Sequence, residues 1–80
     1  MVELVFYKAD WCGPCRKYWP KVLVWATELD AKLTKVDMSS GFIDGIQSVP
    51  TMDVIVGGEL KLRVTHWGPG TRKQVLEVLS

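Results

Sequence analysis

Residues 9–21 read ADWCGPCRKYWPK, and this stretch contains both cysteines of the 80-residue chain. Cys12 and Cys15 are separated only by Gly13 and Pro14. A disulfide between them would close so short a loop that it would restrict the unfolded chain very little. A structural cross-link is therefore a weak explanation for the pair, and its spacing directs attention to thiol chemistry.

Composition and charge narrow the class of protein. The chain is 48% hydrophobic with four tryptophans and carries a net charge of +1, with no long run of like charge. This composition predicts one globular domain over residues 1–80 and gives no sign of nucleic-acid binding. The first residues include Glu3 and lack a basic segment followed by a long apolar run, which predicts neither a signal peptide nor a membrane span. We therefore expect a cytoplasmic protein, whose thiols are kept reduced.

The hydrophobic pattern predicts four short strands. The third and fourth are joined by a tight turn at Gly57-Gly58 and must form an antiparallel hairpin. The predicted strands are Val2 to Tyr7, Lys32 to Asp37, Thr51 to Val56 and Glu59 to Thr65.

Helical signals lie between these strands. A first helix is predicted from Cys12 to about Leu29, with Pro14 in its first turn, where the missing N–H costs nothing. Its core-facing stripe is Tyr18, Val22, Trp25 and Leu29. Because this stripe continues past Pro20, we expect a kink there and not a helix end. One or two helical turns are predicted over Ser39 to Ile46, and a final helix capped by Thr71, with Val75, Leu76 and Leu79 on one face.

The resulting order is β-α-β-α-β-β-α. Its β-α-β start predicts a parallel strand pair, and the later hairpin adds antiparallel strands. The fold class is α/β, with a mixed four-stranded sheet flanked by helices.

The position of Cys12 between a strand and a helix favours its thiolate. The free N–H groups and the positive end of the helix dipole stabilise an anion there, and Arg16 and Lys17 in the next turn add positive charge. Cys12 is thus predicted to be the nucleophile with a lowered pKa. Cys15 lies one turn further on and is predicted to be the resolving thiol, which suits two-step dithiol–disulfide exchange.

At this point the sequence resembles the thioredoxin family. Trp11-Cys12-Gly13-Pro14-Cys15 reproduces the family's WCGPC motif, and Pro20 falls where the family has its helix-kinking proline. Ser48-Val49-Pro50-Thr51 matches the loop whose cis proline packs beside the disulfide, while Gly57, Gly58 and Gly68 fall near later glycines. The length and element order resemble the minimal thioredoxin fold shared with glutaredoxins.

The resemblance also implies a substrate groove. Val49 would offer its backbone to an extended substrate segment, and the wall of the groove would include Trp11, Pro14, Pro50, Trp67 and Gly68. An exposed Trp11 is expected, whereas core packing is an equal alternative for Trp67. Trp19 and Trp25 are predicted to be packing residues.

One position departs from the family pattern. Thioredoxins have a buried aspartate six residues before the nucleophile, which assists proton transfer from the resolving thiol, and here that position is Phe6. Asp53 is a candidate proton acceptor in its place, although a solvated strand face is the simpler interpretation. Otherwise deprotonation of Cys15 would rely on water or substrate.

The resemblance implies a general cytosolic disulfide reductant, a monomer without a cofactor in its site. It would be recharged by an NADPH-dependent thioredoxin reductase, with ribonucleotide reductase as one substrate. Lys8 lies just before the active-site loop, as in many glutaredoxins, so a glutaredoxin-like protein recharged by glutathione remains an alternative. A binding module with idle thiols is the alternative of another class. A metal site is disfavoured because His66 is the only histidine and no second cysteine pair exists.

Overall fold

The computed structural model describes residues 1–43 and 45–79. Four strands and two helices follow one another in the order β1, α1, β2, β3, β4, α2. Their bounds are Val2–Lys8 for β1, Gly13–Glu28 for α1, Lys32–Asp37 for β2, Thr51–Val56 for β3, Glu59–Val64 for β4 and Thr71–Leu79 for α2.

The strands form one mixed sheet in the order β2-β1-β3-β4. The β1–β2 pair is parallel, whereas β3 pairs antiparallel with both β1 and β4. This confirms the predicted fold class and the hairpin, whose turn residues Gly57 and Gly58 have φ values of 60° and 83°. Glycine has no Cβ and adopts positive φ values readily, which is why two glycines suit this turn.

The helical turns predicted over Ser39 to Ile46 are not formed in the described part of that segment. Residues 39–43, 45 and 46 have turn or irregular backbone. Gly41 and Gly45 have φ values of 142° and 90°, which are incompatible with a right-handed helix. Among the residues that the structure describes, the element order therefore contains one helix fewer than predicted.

Helix α1 begins and ends where the sequence indicated. Cys12 is its N-cap, Pro14 lies in the first turn, and the helix continues through Pro20 to a C-cap at Leu29. Asp30 follows with a φ of 52°, a left-handed conformation in which an aspartate is tolerated and the helix stops. The interior proline thus lies within one continuous helix.

Both helices pack on one face of the sheet. Leu4 and Phe6 of β1 and Met52 and Val54 of β3 point to this face and belong to the core cluster. The helices supply further members, which are Cys15, Val22 and Ala26 of α1 and Val75 of α2. Because side chains alternate along a strand, residues such as Val5 and Asp53 point to the opposite face.

The last helix differs in detail from the prediction. Thr71 is its first residue, and its hydroxyl accepts a hydrogen bond from the backbone N–H of Gly68 at 2.9 Å instead of capping the helix ahead. Val75 is buried, whereas Leu76 remains 39% exposed and lines a small pocket together with Trp25 and Leu29. Successive helical residues are about 100° apart, so Leu76 lies at the edge of the face on which Val75 is buried.

Candidate active site

The two cysteines form a disulfide where β1 leads into α1. Their Cα atoms are 5.4 Å apart. The backbone N–H of Cys12 donates to the Ala9 carbonyl at 3.1 Å, which fixes the turn before the helix. The backbone N–H of Cys15 in turn donates to Cys12 Sγ at 3.2 Å, so the sulfur occupies the place of an N-cap acceptor.

The loop around the disulfide is exposed although both sulfur-bearing residues are buried. Cys12 and Cys15 are 4% and 3% exposed, whereas Trp11 is 63% exposed, as expected. Gly13 and Pro14 are also exposed. The Trp11 ring lies 6.2 Å from the ring of Phe42, measured between centroids. Phe42 was not predicted as part of the site, because nothing in the sequence indicated that its irregular segment would fold back toward Trp11.

The loop before β3 contains the expected cis peptide bond between Val49 and Pro50. Two hydrogen bonds hold its backbone. Thr51 Oγ1 donates to the Ser48 carbonyl at 2.8 Å, and the Trp67 indole donates to the Pro50 carbonyl at 2.7 Å. Pro50 is buried, and Val49 packs against the core cluster that contains both cysteines.

For Trp67 the sequence left two alternatives open, a wall of the groove and core packing, and the structure shows features of both. Its side chain is half-buried and packs against the core, while its indole N–H supports the Pro50 loop. The neighbouring Gly68 is also half-buried. The packing prediction for the other two tryptophans is confirmed, since Trp19 lies 5.4 Å from the Phe6 ring and Trp25 stacks on Trp67 at 6.2 Å.

A pocket of about 380 Å³ opens beside Cys15. Three cationic side chains and one carboxylate line it, together with the rings of Phe6 and Trp19. The full lining is Phe6, Lys8, Ala9, Asp10, Cys15, Arg16, Trp19 and Lys35. Cys15 therefore lines a pocket in whose wall cationic side chains outnumber carboxylates.

The cations of this pocket are held in different ways. Arg16 donates to the Asp10 carbonyl at 2.8 Å, and the Lys35 ammonium lies 4.6 Å from the centroid of the Trp19 ring. The hydrogen bond to Asp10 at 2.9 Å is the main cause that raises the pKa of Lys8, and Asp37 adds to it. Lys17, expected to act on Cys12, instead lies over the Tyr18 ring at 5.4 Å.

Asp53 is not brought to the disulfide. It pairs with Val5 on the sheet face opposite Met52 and Val54, which belong to the cysteine-containing core cluster. It is 4% exposed, so the predicted solvated strand face is wrong. Its carboxylate accepts from the Tyr7 hydroxyl at 3.0 Å and from Arg63 Nε and Nη2 at 2.7 and 3.0 Å. A buried carboxylate needs such partners, and their position leaves Cys15 out of its reach.

The same network ties down the segment before β3. The third Arg63 nitrogen, Nη1, donates to the Gly45 carbonyl at 3.2 Å. Burial, followed by the hydrogen bond to Asp53, raises the pKa of Tyr7, and the hydrogen bond to Asp53 raises that of Arg63. His66 follows β4 as an exposed residue.

Residues 1–43 and 45–79 hold neither a metal-binding cluster nor a membrane-spanning helix. They contain no cluster of three or more histidine, cysteine or acidic side chains arranged for a metal ion. Neither of the described helices has the length and apolar character to cross a membrane.

The fold and the disulfide define a class of protein, one in which a helix N-terminus presents a redox-active cysteine pair beside a cis-proline loop. Comparison with known proteins agrees. The sequence matches the thioredoxin family profile over residues 2–79. Thioredoxin 1 of Chlorobaculum tepidum is 33% identical over 82 residues, which cover 90% of this chain and 79% of that protein.

Solved structures give the same answer. A mutant thioredoxin from Halobacterium salinarum superposes with a TM-score of 0.81 at 27% identity, covering 99% of this chain and 75% of that one. Oxidized thioredoxin O2 from Arabidopsis thaliana gives 0.79 at 29% identity, with the same coverage. The chain belongs to the thioredoxin family. It is a thiol–disulfide oxidoreductase whose substrates are protein disulfides.

Proposed function

We propose that this protein is a general disulfide reductant of the cytoplasm, with Cys12 as the nucleophile and Cys15 as the resolving thiol. The observation that carries these roles is the hydrogen bond from the Cys15 backbone N–H to Cys12 Sγ, 3.2 Å long, at the first turn of α1. In the reduced protein the same N–H group and the helix dipole favour the thiolate of Cys12.

The reaction then proceeds in two exchanges. The Cys12 thiolate attacks one sulfur of a substrate disulfide, and the other substrate sulfur leaves as a thiolate. Cys15 loses its proton and attacks Cys12 Sγ, which reforms the Cys12–Cys15 disulfide and releases the second substrate thiol. Two electrons pass from the protein to the substrate, and no cofactor is needed in the site.

The proton of Cys15 has a route that needs no aspartate at position 6. Cys15 lines the pocket of about 380 Å³, which has room for water, and the substrate thiolate released in the first exchange is a second base. The cationic side chains Lys8, Arg16 and Lys35 line that pocket and stabilise the Cys15 thiolate. We propose that water or substrate accepts this proton.

The proposed substrate groove surrounds the disulfide. Trp11 and Pro14 are exposed on the active-site loop, and the backbone of Val49 would pair with an extended segment of the substrate. Gly13 belongs to the same active-site loop, and the other proposed members of the groove are Pro50, Trp67 and Gly68. Exposed aromatic surface beside Cys12 is what an apolar substrate segment requires.

The electron donor and the protein partners are inferred from membership of the thioredoxin family. We propose an NADPH-dependent thioredoxin reductase as the electron donor, ribonucleotide reductase as one substrate, and a monomeric protein acting as a single domain over residues 1–80. A coupled assay with NADPH tests the donor, comparing thioredoxin reductase with glutathione plus glutathione reductase. Activity in the glutathione arm alone would refute the proposed donor.

Trapping experiments test the two thiol roles. We expect Cys15→Ser to accumulate mixed disulfides through Cys12 with a protein disulfide such as insulin, because the resolving step is blocked. Cys12→Ser should accumulate none, and mass spectrometry under non-reducing conditions measures both. Equal trapping by the two variants would contradict the assignment. Full biological activity in the Cys12→Ser, Cys15→Ser double variant would identify a binding module instead.

A further inference from the structure

Trp67, just after β4, is fixed by aromatic rings from two other elements. Its ring centroid lies 5.9 Å from that of Phe6 on β1, with the planes at 81°. On α1 it lies 4.9 Å from Tyr18 and 6.2 Å from Trp25, nearly parallel to the latter. Edge-to-face and stacked contacts at these distances are favourable, and together they restrict the orientation of the indole.

In that orientation the indole N–H points at the loop before β3. It donates to the Pro50 carbonyl at 2.7 Å, and it is the only donor that a tryptophan side chain has. A ring rotation that broke this hydrogen bond would also break the contacts with Tyr18 and Trp25. The backbone of the Pro50 loop is thereby tied to α1, the helix that carries Cys15 in its first turn and has Cys12 as its cap.

We propose that Trp67 is a positioning residue, which sets the distance between the Val49-Pro50 backbone and the cysteine pair for extended peptide substrates. The proposal rests on the function proposed above, in which the Val49 backbone pairs with the substrate. A peptide must contact this backbone and Cys12 at the same time, whereas a small disulfide needs only Cys12. Loss of the indole hydrogen bond should therefore slow peptide disulfides and spare small ones.

Trp67→Phe tests this, because it keeps an aromatic ring in the cluster and removes the N–H donor. Trp25→Phe is the matched control: it makes the same ring change in the same stack, and within residues 1–43 and 45–79 the Trp25 indole has no hydrogen-bond partner. Two second-order rate constants are measured for each reduced protein by acid quenching and mass spectrometry. One substrate is a linear peptide dimer joined by a disulfide, and the other is 2-hydroxyethyl disulfide.

We expect the ratio of the peptide rate constant to the small-disulfide rate constant to fall about fivefold in Trp67→Phe, the equivalent of one hydrogen bond of about 1 kcal/mol. In Trp25→Phe the ratio should stay at the wild-type value. A merely structural role would lower thermal stability in both variants and leave both ratios unchanged. An unchanged ratio in Trp67→Phe, or equal losses on both substrates, would overturn the proposal.

A second variant distinguishes the effect of losing the hydrogen bond from the effects of a smaller ring and of altered folding. The chain has 80 residues and is accessible to chemical synthesis, so Trp67 can be replaced by β-(3-benzothienyl)alanine, which has sulfur in place of the indole N–H. The same fall in the ratio is expected, and a wild-type ratio would overturn the proposal. If the wild-type protein reduced neither substrate, the proposed function would fail, an outcome distinct from either of these.

Discussion

Replacing Asp53 by asparagine should destabilise the protein and leave its redox chemistry intact. The Asp53 side chain is 5% exposed and accepts hydrogen bonds from Tyr7 and from two nitrogens of Arg63. Asparagine has nearly the same shape but turns one of the two acceptor oxygens into an NH2 donor. At least one of the three donors then loses its acceptor, and Arg63 loses its counter-charge.

The size of the loss follows from these contacts. A hydrogen bond to a charged group contributes about 1.5–3 kcal/mol net, and an ordinary one about 1 kcal/mol. The Arg63 side chain is 37% exposed, so water replaces part of what the carboxylate supplied. We therefore expect the free energy of unfolding to fall by about 2–3 kcal/mol, which for a domain of this size lowers the melting temperature by roughly 10–20 °C.

Urea unfolding of the oxidised proteins, followed by circular dichroism, measures this loss. Asp30→Asn is the matched control, since Asp30 is exposed and its φ of 52° suits asparagine; its stability should change by less than about 0.5 kcal/mol. Reduction of insulin by Asp53→Asn, measured where the variant is folded, should proceed at the wild-type rate. Wild-type stability, or a tenfold loss of rate with an altered pH profile, would refute the reasoning, and the second result would make Asp53 the proton acceptor.

Two further predictions concern ionisation near the core. Burial and the Asp53 hydrogen bond raise the pKa of Tyr7 above 10.0, so the folded state keeps a proton that the unfolded state loses. Stability should therefore fall as pH rises through about 10, and urea midpoints should show a smaller fall in Tyr7→Phe. Phe6→Asp, at a position with no exposed surface, should lose at least about 3 kcal/mol at neutral pH and less near pH 4, where the carboxyl is neutral. Phe6→Leu, whose urea midpoint should lack this pH dependence, is the control, and equal pH profiles would count against a buried carboxyl.

Much of the fold could be predicted because its signals are local. The bounds of β2 and β3 were predicted to the residue, and α1 was recognisable from its N-terminal proline and its apolar stripe up to Leu29. Alternation, helical periodicity and capping depend on residues within a few positions of one another. The position of Cys12 at the helix start followed from the same local pattern.

The central segment shows where local signals were insufficient. Ser39 to Ile46 has a serine cap and apolar residues at its end, yet Gly41 and Gly45 adopt positive φ values and no helix forms in the described part. Such a glycine permits a turn without requiring one. Tertiary contacts decide whether the turn or a helix forms. One of them here is the hydrogen bond from Arg63 Nη1 to the Gly45 carbonyl.

The sequence by itself determined the chemistry of this protein, since the cysteine spacing and the helix start place two sulfurs on one turn. Only the tertiary structure decided what surrounds them. It buried Asp53 against Tyr7 and Arg63 on the far face of the sheet, and it set the indole of Trp67 under the Pro50 carbonyl. The partners in these contacts are 10 to 46 residues apart along the chain. Contacts over such distances form when strands pair and helices pack, so no short-range pattern in the sequence could predict them.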